Sequence, residues 1–140
     1  MEARLGRLLT DLKLNSYRAY YDLVTADKTG AALAAMIDAL TTNHTQFMRE
    51  PAHLDYLRNV LLPTLRLRQR IEIWSAPCAT GEEPYSIAMV LFAELGIPPA
   101  PPFVIRSVDI STKALETARA GMYATHRLAG LSGEQILRFF

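Results

Sequence analysis

Apolar side chains recur at helical spacing through the first half of the chain. Leu5, Leu8, Leu9 and Leu12 form one stripe, and Asn15-Ser16 then offers a stop followed by a new N-cap. Tyr17, Tyr20, Tyr21 and Val24 form a second, ending near Asp27-Lys28-Thr29-Gly30, and Leu33, Met36, Ile37 and Leu40 form a third. Thr41-Thr42-Asn43 breaks the pattern with residues that favour turns and caps. After Pro51, the spacing of Leu54, Leu57, Leu61 and Leu65 predicts another helix, with Pro63 expected to kink or end it. Arg66, Arg68 and Arg70 close this helical half.

The period changes at Ile71. Ile71-Glu72-Ile73-Trp74-Ser75-Ala76 is short, β-prone and mostly apolar, the pattern of a strand covered on both faces. A loop of small residues, Pro77 to Pro84, opens a helix from Tyr85 to Leu95 that stops at Gly96. A proline-rich connector leads to a second strand, Phe103 to Asp109, and Ser111 caps a helix that ends at Gly121. Strand, helix, strand, helix is a βαβα unit, which predicts parallel strands and a right-handed crossover. Ser132 and Gln135 form a capping box before Ile136, Leu137, Phe139 and Phe140.

Composition narrows the function classes. Of 140 residues, 50% are hydrophobic and 21% charged, which argues for a globular fold over disorder. The longest apolar stretches, such as Ile87 to Ala93, fall far short of a membrane span, and charges among the first ten residues argue against a secretory signal. A net charge of +1 makes nucleic acid a poor partner. The single cysteine fits a reducing compartment, so a soluble, cytoplasmic protein without membrane insertion is expected. Cys78 reads as a small loop residue with nothing basic beside it in sequence, and His44, His53 and His126 share no metal-ligand spacing. The tyrosines of the second stripe read as helix packing.

Ligands of open α/β sheets sit beyond the carboxyl ends of the strands, here the 77–84 loop and Asp109. An acid ending the second strand suits ribose hydroxyls, although strands also end in Asp for turn reasons. The loop has neither a Gly-Lys-Ser/Thr nor a G-x-G-x-x-G pattern, and Glu82 and Glu83 at the helix mouth would repel phosphate. They would suit a cationic ligand with a nucleoside part, a description that S-adenosylmethionine (SAM) meets.

Three motifs, in order, carry a family resemblance. Thr41-Thr42-Asn43-His44-Thr45-Gln46-Phe47-Met48-Arg49-Glu50 resembles the T-T-N-x-T-x-F-F-R-E motif of the bacterial chemoreceptor glutamate O-methyltransferases, the CheR family. Trp74 to Ser86 resembles that family's W-S-A-x-x-S/A-T-G-E-E-P-Y-S, and Val108-Asp109-Ile110-Ser111 its second-strand motif. The resemblance implies an α/β chain: an all-helical N-terminal part over 1–50, a linker helix over 51–70, and over 71–140 the first βαβα half of a Rossmann-like SAM-dependent methyltransferase domain. It implies that Asn43 and Thr45 hydrogen-bond the cofactor and that Arg49 pairs with its carboxylate. Glu82 or Glu83 would meet the ammonium, and Asp109 the ribose. Asn43 and Thr45 as helix-terminal caps, Arg49 as a solvated charge, and the two glutamates as charges favoured by the helix dipole are the alternatives. The implied reaction is methyl transfer to glutamate side chains of chemoreceptors or related signalling proteins. The nucleophile is ionised at neutral pH, so alignment suffices without a base or metal. Arg4, Arg7 and Lys13 lie near the helix that faces acidic receptor segments in the family; a solvated face is the equal alternative.

Met48 stands where the family usually has Phe, and Pro77 replaces a small residue. The chain reads as truncated at both ends, stopping before the strand that carries the family's R-N-x-x-x-Y-F motif. A fragment of this kind could be a non-catalytic cofactor- or partner-binding module. Its first strand would keep one edge open, so self-association is expected.

Overall fold

The computed structural model describes residues 2–140. It divides into two compact units, Met1–Asn43 with Ile110–Lys113, and His44–Asp109 with Ala114–Phe140.

The first unit is helical: α1 (Glu2–Asp11), α2 (Tyr17–Ala26) and α3 (Ala31–Leu40), with α3 packed against α1 and α2. Its helix starts are fixed by polar side chains. Ser16 caps α2 by accepting the Ala19 N–H at 3.2 Å. Asp27 accepts the N–H groups of Thr29 (2.8 Å) and Ala32 (2.7 Å) and the Thr29 hydroxyl (2.6 Å), so it ends one helix and starts the next. Among the expected tyrosine stripe only Tyr20 is buried; Tyr17 and Tyr21 are exposed, and Arg18 lies over the Tyr21 ring. Arg4 is exposed and yet anchored. Its guanidinium donates to the carbonyls of Leu40 (2.9 Å) and Thr41 (3.1 Å) and to Thr42 Oγ1 (2.9 Å), closing the C-terminus of α3.

The second unit begins with α4 (Pro51–Tyr56), a π-helical turn (Leu57–Leu61) and α5 (Leu62–Leu65). Pro63 does not end this helix. Proline offers no N–H to the preceding turn, and the wider π turn ahead of it, closed by Leu62 N–H to the Leu57 carbonyl, accommodates the missing bond. Strands β1 (Ile71–Ser75) and β2 (Phe103–Ser107) pair in parallel, Ile71 opposite Phe103 and Ser75 opposite Ser107. Between them runs α6 (Glu82–Leu95), and after them α7 (Thr112–Ala120), a 3₁₀ turn (Thr125–Gly130) and α8 (Gly133–Phe139). The capping box at Ser132 and Gln135 is present.

Leu54, Leu57, Leu62, Ile71, Val90, Leu91 and Leu95 make one buried core between the α4–α5 rod, β1 and α6. A second gathers Phe47, Met89, Leu128 and Leu131, with Tyr123 edge-on to Phe47 at 5.0 Å. Arg58 and Arg66 both reach Glu94, at 3.1 and 3.3 Å, and tie the rod to α6. Strand β1 is covered on one face only. Ile71 and Ser75 are buried, while Glu72 is exposed and Trp74 is 69% exposed. The expectation of two covered faces therefore fails among the described residues, which supply helical cover to the Ile71 side alone.

Candidate functional site

The loop after β1 is stitched to the end of β2. Val108 N–H donates to the Ser75 carbonyl (3.1 Å), Cys78 N–H to the Val108 carbonyl (2.9 Å) and Ala79 N–H to Asp109 Oδ2 (2.7 Å). The loop turns into α6 through Ala79 and Gly81, both at positive φ (45° and 99°). Only glycine fits at 81, where a Cβ would come within 2.6 Å of the Tyr123 hydroxyl and 3.0 Å of Ala118 Cα. Pro84 falls on the first turn of α6, where the missing N–H costs nothing.

The two glutamates at the mouth of α6 separate into different roles. Glu82 has no solvent exposure; it pairs with Arg127 from the 3₁₀ turn and accepts the Thr80 hydroxyl at 2.7 Å. Arg127 also donates to Thr80 Oγ1 (2.8 Å), and the Tyr123 hydroxyl donates to the Thr80 carbonyl (2.7 Å). Burial, with the Glu82 charge adding to it, pushes the Tyr123 phenol well above its ordinary value. Glu83, by contrast, is exposed and accepts the buried Ser75 hydroxyl at 2.7 Å. Burial first, then the charges of Asp109 and Glu83, push the Cys78 thiol up, which keeps it protonated and inert.

Residues 44–50 belong to the same unit. Phe47 is wholly buried, and Met48 N–H donates to Ser86 Oγ (2.9 Å), whose hydroxyl in turn donates to the Glu82 carbonyl (2.6 Å). Met48, with φ of 54°, packs against both cores, so the exchange for Phe is one of packing. Gly130 lies against the Phe47 carbonyl and leaves no room for a side chain there. On this pinned segment Thr45 is half-buried, and Arg49 is exposed with its guanidinium on the His44 carbonyl at 3.0 Å.

Of the six residues singled out from sequence, Glu82, Glu83 and Asp109 thus gather around the 77–83 loop, and Thr45 and Arg49 ride on a segment fastened to α6. Asn43 belongs to the helical unit, half-buried, with Nδ2 donating to Ser111 Oγ at 3.3 Å. Arg127 and Tyr123 carried no signal in the sequence, and Ser75 and Ser86 only that of lying in the 74–86 motif; the roles of all four appear only when separate segments meet. A cleft of about 540 Å³ borders Asp109 between α6, β2 and α7, but its lining includes neither Glu83 nor Arg49. No group of three metal-ligating side chains occurs among the described residues, and no helix there is long and apolar enough to cross a membrane.

Comparison with known proteins supplies the context for this arrangement. The family model described as CheR methyltransferase, SAM binding domain, matches residues 43–140, and that described as CheR methyltransferase, all-alpha domain, matches residues 1–41. The chain is 41% identical to the chemotaxis protein methyltransferase of Salmonella typhimurium over 98% of its own length and 46% of the relative's. It is 39% identical to that of Escherichia coli over the same shares, 98% and 46%. A chemotaxis protein methyltransferase of Vibrio parahaemolyticus is 38% identical, over 100% of this chain and 52% of the relative. The chain spans about half the length of these relatives.

Proposed function

The chain belongs to the CheR methyltransferase family, and on that premise we propose that it takes part in methyl transfer from S-adenosylmethionine to glutamate side chains of chemoreceptors or related signalling proteins. S-adenosylmethionine is the cofactor of this domain type. When bound, it supplies an activated methyl to which an ionised carboxylate can bond directly, with S-adenosylhomocysteine as the leaving group and no proton to remove.

The observation that carries the reading is the Ala79 N–H to Asp109 Oδ2 bond at 2.7 Å. It holds the acid that ends β2 against the loop that opens α6, the pairing of groups a nucleoside ribose calls for. The donor set fits the rest of the cofactor. Glu83 is exposed at the helix mouth, with Ser75 steadying one oxygen, and offers a carboxylate to the ammonium. Arg49 is exposed and offers a guanidinium to the carboxylate, a geometry to which arginine is suited. Thr45, half-buried on the same segment as Arg49, adds a polar group. Glu82 is assigned a structural part, because its charge is already met by Arg127 and Thr80.

The partner is an acidic receptor segment in the cytoplasm, and the open edge of β1 favours self-association when nothing covers it. A second reading rests on length: a chain spanning half of its relatives could bind cofactor or a partner without transferring the methyl.

Titration calorimetry with S-adenosylhomocysteine tests the site. Wild type should bind, Asp109→Ala and Glu83→Gln should weaken binding by about tenfold each, as expected for charge-assisted hydrogen bonds. No binding by wild type overturns the cofactor reading. Transfer of radiolabelled methyl to a receptor signalling fragment supports the enzyme; binding without transfer selects the module. Light scattering at micromolar concentration addresses association, and a monomer there refutes it.

A further inference from the structure

The covered face of β1 carries Ile71, Ile73 and Ser75 at alternate positions. Ile71 and Ile73 pack in the first apolar core, while Ser75, only 1% exposed, brings a hydroxyl to the same face. A buried hydroxyl is costly to leave unpaired. Ser75 donates to Glu83 Oε1 at 2.7 Å, and its side chain makes no other hydrogen bond among the described residues. Its backbone is fixed as well, since the Ser75 carbonyl takes the Val108 N–H at 3.1 Å. The serine is thus a donor on a rigid strand, shielded from the water that would compete for its proton.

Its acceptor is the opposite case. Glu83 is exposed on the first turn of α6. The helix dipole favours a carboxylate there but does not choose its rotamer, and a free glutamate side chain samples several. The bond from Ser75 selects one and makes the two carboxylate oxygens unequal. Oε1 is held toward the strand, and Oε2 has no hydrogen-bond partner among the described residues. Because the donor is neutral, the charge of Glu83 survives the bond. Glu82, one residue earlier, is instead neutralised by Arg127.

We propose that Ser75 is a positioning residue: by holding Glu83 Oε1 it keeps Oε2 presented to the ammonium group of a ligand. This rests on the function proposed above, in which that ammonium belongs to the amino-acid end of S-adenosylmethionine. The contribution of Ser75 is pre-organisation. The carboxylate is ordered before the ligand arrives, so binding does not have to freeze it. Such a role acts on the amino-acid end and not on the nucleoside, which the same reading gives to Asp109.

Two measurements on the full chain test this. In titration calorimetry, Ser75→Ala should bind S-adenosylhomocysteine about fivefold more weakly than wild type. Methylthioadenosine keeps the nucleoside and the thioether but lacks the ammonium and carboxylate, and it should bind both proteins alike. An unchanged affinity for S-adenosylhomocysteine overturns the proposal. So does an equal loss for both ligands, which would mean that the serine merely supports the loop. Ser75→Ala combined with Glu83→Ala should bind S-adenosylhomocysteine no more weakly than Glu83→Ala alone; multiplying losses would show that Ser75 acts by another route, and would overturn it. In the free, ¹³C-labelled protein, Ser75→Ala should shift the Glu83 side-chain carboxyl resonance while that of Glu82 stays in place. An unmoved Glu83 resonance overturns the positioning role and leaves cofactor binding standing. Failure of wild type to bind S-adenosylhomocysteine removes the function proposed above, and this role with it.

Discussion

The two units are held together by different means. The sheet unit has two continuous apolar cores, and thirteen of its hydrophobic side chains are buried, from Phe47 to Leu131. In the helical unit Tyr20 is the one buried hydrophobic side chain among the described residues. Order there comes from polar locks: Ser16 on α2, Asp27 on α3, Arg4 on the end of α3, and Asp38 on Ser111 and Thr112. Burial is non-directional and adds with area, whereas each lock depends on a single geometry and, for the aspartates, on charge. The apolar cores should therefore be less sensitive to pH and salt than the aspartate locks of the helical unit.

The largest effects should arise in the sheet unit. Phe47→Ala empties the centre of the second core and should destabilise the chain by about 4 kcal/mol, read by thermal or urea unfolding. Arg127→Met leaves the Glu82 charge buried without its cation and should cost about 3 kcal/mol. Adding Glu82→Gln should recover most of that loss; no recovery would mean that Arg127 matters for something other than this pair.

Acid should single out the helical unit. The folded-state carboxyls of Asp27, through its bonds to the Ala32 N–H and to Thr29, and of Asp38, chiefly through Ser111, lie below their ordinary values. Their contribution is present above the unfolded value and is lost as pH falls through the lower folded values, so protection should fail first in α3 below about pH 4. Cys78 and Tyr123, the groups shifted in the sheet unit, stay neutral throughout that range. Hydrogen exchange at α3 and α6 across this range checks it; simultaneous loss in both would erase the contrast.

Smaller effects sharpen it. Ala79→Gly relieves a positive φ and should stabilise the loop by about 1 kcal/mol. Leu33→Ala, at an exposed position of α3, should change stability by no more than about 0.5 kcal/mol in denaturant titration.

Much of the architecture was legible because it is written in local signals. The helix stripes, the cap at Ser16, the capping box at Ser132 and the change of period at Ile71 all depend on residues a few places apart. Motif likeness located the 41–50 segment, the Glu82-Glu83 pair and Asp109. Local signals failed where the deciding neighbour was distant. Nothing near Glu82 in sequence says that Arg127 will neutralise it and leave Glu83 exposed. Nothing near Arg4 says that it will close α3. Nothing near Asp38 in sequence says that the Thr112 hydroxyl will meet it. Pro63 misled because a π turn, rather than a kink or an end, answers its missing N–H.

Trp74 is the chain's one tryptophan and lies on the bare face of β1. Its indole already meets water in the folded chain, so its emission should be red-shifted at the outset and change little as the cores melt. Intrinsic fluorescence will therefore under-report unfolding. The same side chain is well placed as an optical sensor of whatever comes to lie over that face, since covering the indole should shift its emission to the blue.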